Sequence, residues 1–254
     1  MDLLYKFYSL EGLTVVVTGA SSGLGLNMAV CLAKLGANVF ALSRTGRPKV
    51  ESAEPLPEQI VHRSMDVADE VSVANLISEI GNQHGIDVLV NNAGIGLRKK
   101  AEELTGKEWN KVHNINSKGV FLCCKHAYPF LKKSALPGRV INISSMASYL
   151  GFSEIIAYNS SKASVLGITR ALATEWREDG ILVNSVSPGW FPSLLSEQVM
   201  DDDRREKIMR KIPMGRFGKP EELSAMICFL ASPAATYMNG QDFSVDGGAL
   251  AYGY

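Results

Sequence analysis

The chain has 254 residues, 46% of them hydrophobic, and its 26 acidic side chains balance 26 basic ones. That length and hydrophobic share provide one large core and exclude a disordered, collagen-like or disulfide-scaffold chain, so a single domain over residues 1–254 is expected. The charge balance points to neither nucleic acid nor a membrane surface as partner, leaving a small molecule as the expected ligand.

The opening segment, MDLLYKFYSLEG, is interrupted by Asp2, Lys6 and Glu11, and so holds no apolar run long enough for a signal sequence or a membrane span. Short apolar runs then recur at 13–18 (LTVVVT), 38–43 (NVFALS), 86–92 (IDVLVNN), 139–144 (RVINIS), 181–187 (ILVNSVS) and 242–246 (DFSVD), with a weaker one at 59–66. Most are apolar on both faces, the pattern of parallel strands covered by helices on each side. The segments 22–35, 69–84, 116–133, 158–178 and 220–231 carry apolar residues at helical spacing. A doubly wound α/β fold with one parallel sheet follows. Pro48, Pro55 and Pro57 break the stretch 44–58, which predicts an irregular crossover. The four cysteines (Cys31, Cys123, Cys124, Cys228) lie inside the helical patterns without metal spacing and read as buried, reduced thiols of a cytoplasmic protein.

Several runs end in polar residues or glycine: Thr18-Gly19, Ser43-Arg44, Asn91 to Gly94, Ser144-Ser145 and Ser187-Pro188-Gly189. The carboxyl edge of an open parallel sheet is where ligands bind, so these ends define the candidate site. TGASSGLG (18–25) follows the first strand and opens the first helix, where Gly19, Gly23 and Gly25 permit a tight turn and the helix start offers amides to a pyrophosphate. Tyr158 and Lys162 lie four apart and share a helix face. A tyrosine titrates near pH 10, and lowering its pKa by about three units takes roughly 4 kcal/mol. A lone hydrated lysine falls short of that, so the pair needs further positive charge and shelter from bulk water to work near neutrality.

The glycine turn, NNAG at 91–94, a serine thirteen residues before Tyr158, the Tyr158/Lys162 pair and Pro188-Gly189 together resemble the short-chain dehydrogenase/reductase family across the whole chain. The resemblance implies an oxidoreductase interconverting a ketone and a secondary alcohol. Tyr158 is the implied proton donor, Lys162 holds its pKa down and binds the nicotinamide ribose, and Ser145 hydrogen-bonds the carbonyl, with Ser144 as its neighbouring candidate. Asn116 supports a water that hands protons to the lysine, with Asn114 as rival; Asn116 lies seven residues after Trp109. Cofactor contacts are implied at Gly19, Ser21, Ser22, Gly23, Leu24, Gly25, Ser43, Asp66, Val67, Asn92, Ala93, Gly94, Tyr158, Lys162, Pro188, Gly189 and Ser193. Asp66 has a second reading, as the cap of the helix near Asp69. Where NAD-binding relatives place an acid, this chain has Ser43 followed by Arg44, whose guanidinium suits a 2′-phosphate, so NADP(H) is the expected cofactor.

Residues at about 190–215 are expected to form a substrate lid, with Leu194, Leu195, Met200 and Met209 as pocket candidates. The basic run Arg204, Arg205, Lys207, Arg210 and Lys211 reads as an anion-attracting patch or as a solvated helix face. FPS after Pro188-Gly189 and IPMGRFGKPEE are similar to 3-oxoacyl-thioester reductases, whereas FYSLEG and VDGGALAY are similar to gluconate 5-dehydrogenases. A 3-oxoacyl-like ketone ranks first and a sugar acid or polyol second. A dinucleotide sensor without catalysis is the alternative of another class. Hydride chemistry here needs no metal, and the resemblance implies a homotetramer or homodimer.

Overall fold

The computed structural model describes residues 3–49, 55–192 and 202–253. Seven strands form one parallel sheet: β1 (Thr14–Thr18), β2 (Asn38–Ser43), β3 (Ile60–Ser64), β4 (Val88–Asn91), β5 (Gly138–Ile143), β6 (Ile181–Pro188) and β7 (Asp242–Val245). Their spatial order is β3-β2-β1-β4-β5-β6-β7, the doubly wound Rossmann arrangement. The order reverses between β1 and β4, which pair through Val15–Val88, Val16–Leu89 and Val17–Val90. A crevice therefore opens beyond the ends of these two strands.

Alternate residues of the central strands β1, β2, β4, β5 and β6 feed opposite cores, whereas the edge strands β3 and β7 hold no buried residue. Val15, Val17, Val39, Ala41 and Ile141 pack with Met28 and Leu32 of α2 (Gly23–Lys34) and with Leu223 and Ile227 of α8 (Pro220–Ala231). Val16, Phe40, Leu42, Leu89 and Val140 pack with α3 (Glu70–His84), α5 (Gly119–Leu131) and Val165 of α6 (Ile156–Glu175). The described parts of 44–58 hold neither helix nor strand, as their prolines predict.

Three short helices escape the sequence reading: α1 (Leu3–Tyr8), α4 (Gly106–His113) and α9 (Ala249–Tyr252). α4 starts at a reciprocal capping box between Thr105 and Glu108, a Thr-x-x-Glu signal present in the sequence. It runs through a π turn at Asn114–Lys118 directly into α5, so the helix expected from 116 begins ten residues earlier. α7 (Asp202–Arg210) lies in the expected lid segment.

Candidate active site

The turn after β1 is shaped by missing side chains. Gly19 has φ +69°, and a Cβ there would lie 2.7 Å from the Ala93 Cα. A Cβ on Gly25 would lie 2.4 Å from the Gly19 carbonyl oxygen. Thr18, 1% exposed, ties this turn to the one after β4: its Oγ1 accepts from the Asn92 and Ala93 amides at 3.1 Å each. The Asn92 side chain donates back to the carbonyls of Thr18 (3.0 Å) and Gly19 (3.2 Å). Asn92 thus braces the glycine turn. Ser21 is buried and its carbonyl accepts from the Lys49 amide at 2.8 Å, laying the turn after β2 against the glycine loop. Ser22 precedes α2 in extended conformation and its side chain caps nothing. The first amides of α2, at Gly23, Leu24 and Gly25, therefore keep their donors for an anion. A backbone stripped of side chains beside uncapped helix amides fits a dinucleotide pyrophosphate.

Beyond β2, Ser43 is 8% exposed and its hydroxyl lies 3.2 Å from that of Thr45. Arg44 is exposed; its carbonyl accepts from Ser64, and its guanidinium has no hydrogen-bond partner among the described residues. Asp66 does not cap α3, because Asp69 does so by accepting from the Val71 amide. Asp66 instead closes a local turn onto the Ala68 amide at 3.0 Å, beside the buried Val67.

The polar side chains gather on the other side of the crevice. Lys162 is 4% exposed, and its Nζ donates to the Ile143 carbonyl at 2.7 Å and lies 5.9 Å from the Tyr158 ring centroid. Burial with no carboxylate partner lowers its pKa from 10.5 to about 8. The Tyr158 phenol is pushed up by burial, with a hydrogen bond to Ser145 pulling the other way. In the chain alone burial dominates at the phenol, and the bond to the Ile143 carbonyl takes one of the three N–H donors of Lys162. Ser145 accepts from the Ala147 amide at 3.1 Å. Ser144 is committed to Ser148 (2.7 Å) and the Lys162 carbonyl (3.2 Å), which separates the two serine candidates.

The asparagines separate as well. Asn114 is exposed, whereas Asn116 is fully buried in the π turn. Asn116 Oδ1 accepts from the Ile95 amide at 2.8 Å, while Nδ2 donates to the Ile95 carbonyl (2.9 Å) and to Ser161 Oγ (3.0 Å). A Cβ on Gly94 would stand 3.4 Å from Asn116 Oδ1 and 3.5 Å from Lys162 Nζ, so Gly94 floors the same space. Pro188 ends β6, and the Gly189 amide donates to the Val245 carbonyl at 2.9 Å. Ser193, Leu194, Leu195 and Met200 lie outside the described residues; Met209 is half-buried on α7. Of the basic run, Arg205 stacks over Phe217 and Arg210 pairs with Glu206 on an exposed face.

Four contributors went unread in the sequence: Thr18 as clamp, the Ile143 carbonyl, Ser161, and a buried chain from Asn91 Nδ2 to Asn142 (2.9 Å) and from Asn142 to Thr169 on α6 (3.0 Å). Ser161 was visible inside the Tyr158–Lys162 interval, but its partner Asn116 is 45 residues away. Among the described residues, no group of three or more His, Cys, Asp or Glu is placed to hold a metal, and no helix is long and apolar enough to cross a membrane.

A family model described as enoyl-(acyl carrier protein) reductase matches residues 19–249. The 2-dehydro-3-deoxy-D-gluconate 5-dehydrogenase of Dickeya dadantii is 36% identical over 253 residues, 98% of this chain and 100% of that protein. The 3-oxoacyl-(acyl-carrier-protein) reductase of Thermotoga maritima is 36% identical over 245 residues, 95% of this chain and 99% of its own. Among solved structures, a gluconate 5-dehydrogenase from Burkholderia cenocepacia in complex with NADP and tartrate superposes with a TM-score of 0.89 at 29% identity, covering 98% of this chain and 99% of that one.

Proposed function

The chain belongs to the short-chain dehydrogenase/reductase family, and from that premise we propose that it is an NADP(H)-dependent oxidoreductase interconverting a ketone and a secondary alcohol, with its chemistry at Asn116, Ser145, Tyr158 and Lys162. The observation that carries the reading is the convergence of a buried lysine, a phenol and a serine hydroxyl beside the Gly94 floor. Bound NADP(H) supplies the hydride for ketone reduction and takes it back in alcohol oxidation. Gly19, Ser21, Ser22, Gly23, Leu24 and Gly25 hold its pyrophosphate, Arg44 beside Ser43 its 2′-phosphate, and Asp66 and Val67 its adenine edge. Asn92, Ala93 and Gly94 line its course, with Pro188, Gly189 and Ser193 at the carboxamide end.

Ser145 Oγ donates to the carbonyl oxygen of the substrate and fixes its place. Tyr158 Oη passes its proton to that oxygen during reduction and recovers it in the reverse direction. Lys162 stabilises the phenolate through its ammonium and returns the proton, while Asn116 holds Ile95 and α6 in register beside it. The segment at about 190–215, α7 included, serves as substrate lid. The outer faces of α5 and α6, where Phe121 stands 47% exposed, support self-association as a tetramer or dimer. The free thiols, three of them buried, fit a cytoplasmic location.

A 3-oxoacyl-type ketone is the first substrate reading. A sugar acid or polyol is the second, favoured by the end-to-end match to the D. dadantii enzyme. The test is a panel of acyl thioesters, keto-sugar acids and small cyclic ketones with NADPH, run on wild type and Tyr158→Phe. The variant is expected to lose about a thousandfold in kcat on whichever ketone is reduced. An unchanged rate defeats the mechanism, and tight NADPH binding with no turnover across the panel returns the sensor.

A further inference from the structure

Ser145 opens a short 3-10 turn (Met146–Ser148), and the loop from Tyr149 to Ile155 then leads into α6 and Tyr158. Its start is anchored by the Tyr149 hydroxyl, which donates to Asp242 at 2.9 Å, and its middle by Phe152, set edge-on to Trp190 with ring centroids 6.4 Å apart. Its end meets the segment after β4. There Glu154 adopts φ +67°, the one left-handed non-glycine backbone among the described residues. A Cβ disfavours that conformation, and Glu offers none of the local hydrogen bonding that lets Asn or Asp tolerate it.

Two contacts oppose the strain, both to the segment after β4. Glu154 Oε2 accepts from Arg98 Nε at 2.5 Å, and the Glu154 carbonyl accepts from the Lys99 amide at 2.7 Å. The same segment is held at its other end by Asn116, which clasps both backbone groups of Ile95. Residues 94–99 are thus fixed at Ile95 to the π turn and at Lys99 to the loop entering α6. Local strain held in place by flanking contacts at the rim of a site is a recurring means of pre-organisation.

We propose that Glu154 is a positioning residue for the ketone: its ion pair with Arg98 holds its own backbone left-handed, and that backbone latches residues 98–99 against the loop preceding Tyr158, fixing the width of the cleft above Gly94. This rests on the catalytic reading of Tyr158 given above. The side chain matters because it offsets strain, so glycine, which adopts positive φ freely, replaces it better than alanine does.

The test compares Glu154→Ala and Glu154→Gly by amide hydrogen exchange at Lys99 and by steady-state kinetics with NADPH and the best ketone of the panel. In Glu154→Ala, Lys99 is expected to exchange about tenfold faster and the ketone KM to rise about tenfold, with kcat and the NADPH KM within about twofold of wild type. Glu154→Gly is expected to return both towards wild type. Wild-type exchange and KM in Glu154→Ala, or a glycine variant no better than the alanine one, overturns the latch, as does faster exchange with no change in KM. Exchange needs no turnover: should Tyr158→Phe leave reduction intact while Lys99 follows the predicted order, the catalytic reading falls and the latch between the two loops stands.

Discussion

The two sides of the crevice are built by opposite means. On the β1–β4 side, the turns meet because atoms are missing: hypothetical Cβ atoms on Gly19 and Gly25 would sit 2.7 Å or less from backbone, and a single threonine hydroxyl ties the turns together. On the β5–α6 side, the space is lined by buried polar groups, among them Asn116 at 0% and Lys162 at 4% exposure. The first side is constrained by shape and fits a ligand that arrives with its own charge. The second carries the charge itself, and a buried ammonium without a carboxylate costs the fold stability. Substitutions should therefore fail for steric reasons on one side and show pH-dependent electrostatics on the other.

The largest effect is expected from Gly25→Ala. The added methyl would meet the Gly19 carbonyl and Asn92 Nδ2, each at 2.4 Å, so it wedges apart a turn that Asn92 holds closed. A loss of about 3 kcal/mol is expected, seen as a fall of roughly 6–12 °C in Tm, together with loss of NADPH binding in a fluorescence titration. Ser22→Ala removes a side chain that caps nothing and is expected to stay within about 0.5 kcal/mol of wild type. Similar losses from both would show that the turn is held by its hydroxyls instead of its shape.

Next comes the pH dependence of stability. Lys162 has its pKa lowered from 10.5 to about 8 by burial, so the folded chain releases this proton before the unfolded chain does. Between those values the unfolded state binds more protons, and stability from this group rises with pH, by on the order of 3 kcal/mol across the window. Below about pH 8 both states are protonated and the cost of the buried ammonium is constant. Tyr158 and the buried thiols, raised by burial, work in the opposite sense above pH 8. The difference between wild type and Lys162→Met in urea unfolding therefore isolates the lysine. Methionine leaves the Ile143 carbonyl without its donor, an offset that does not vary with pH. A flat difference curve from pH 8 to 10 would mean that Lys162 reaches water.

The same contrast explains what the sequence disclosed. Strands were legible because both faces of β1, β2 and β4 are buried, and a run such as LTVVVT has no other economical reading. The glycine turn and the Tyr158/Lys162 pair were legible because their spacing is local. What escaped depends on distant partners: Asn116 was marked by its place seven residues after Trp109, but not its bonds to Ile95 across 21 residues and to Ser161 across 45, nor the π turn that buries it. Lys162 also donates to the Ile143 carbonyl at the end of β5, the strand before α6, a contact that no motif encodes. α4 is the exception, since its capping box at Thr105–Glu108 was local and simply went unread.

The smallest effect is expected where neither shape nor burial is at stake. Arg44 is exposed, and its side chain has no hydrogen-bond partner among the described residues, so Arg44→Asp is expected to leave Tm unchanged. It follows Ser43 in a turn that returns through Lys49 to the Ser21 carbonyl, beside the uncapped start of α2. That places a guanidinium within the neighbourhood of the phosphate loop without any internal duty, as discrimination by charge requires. The variant is expected to lose about tenfold in kcat/KM with NADPH and to hold or gain with NADH, and the wild-type preference should shrink as salt is raised. An unchanged preference would move the 2′-phosphate contact to Arg47 or Lys49, exposed further along the same turn, and the cofactor side would still be shaped by its glycines with its charge selectivity spread over the turn.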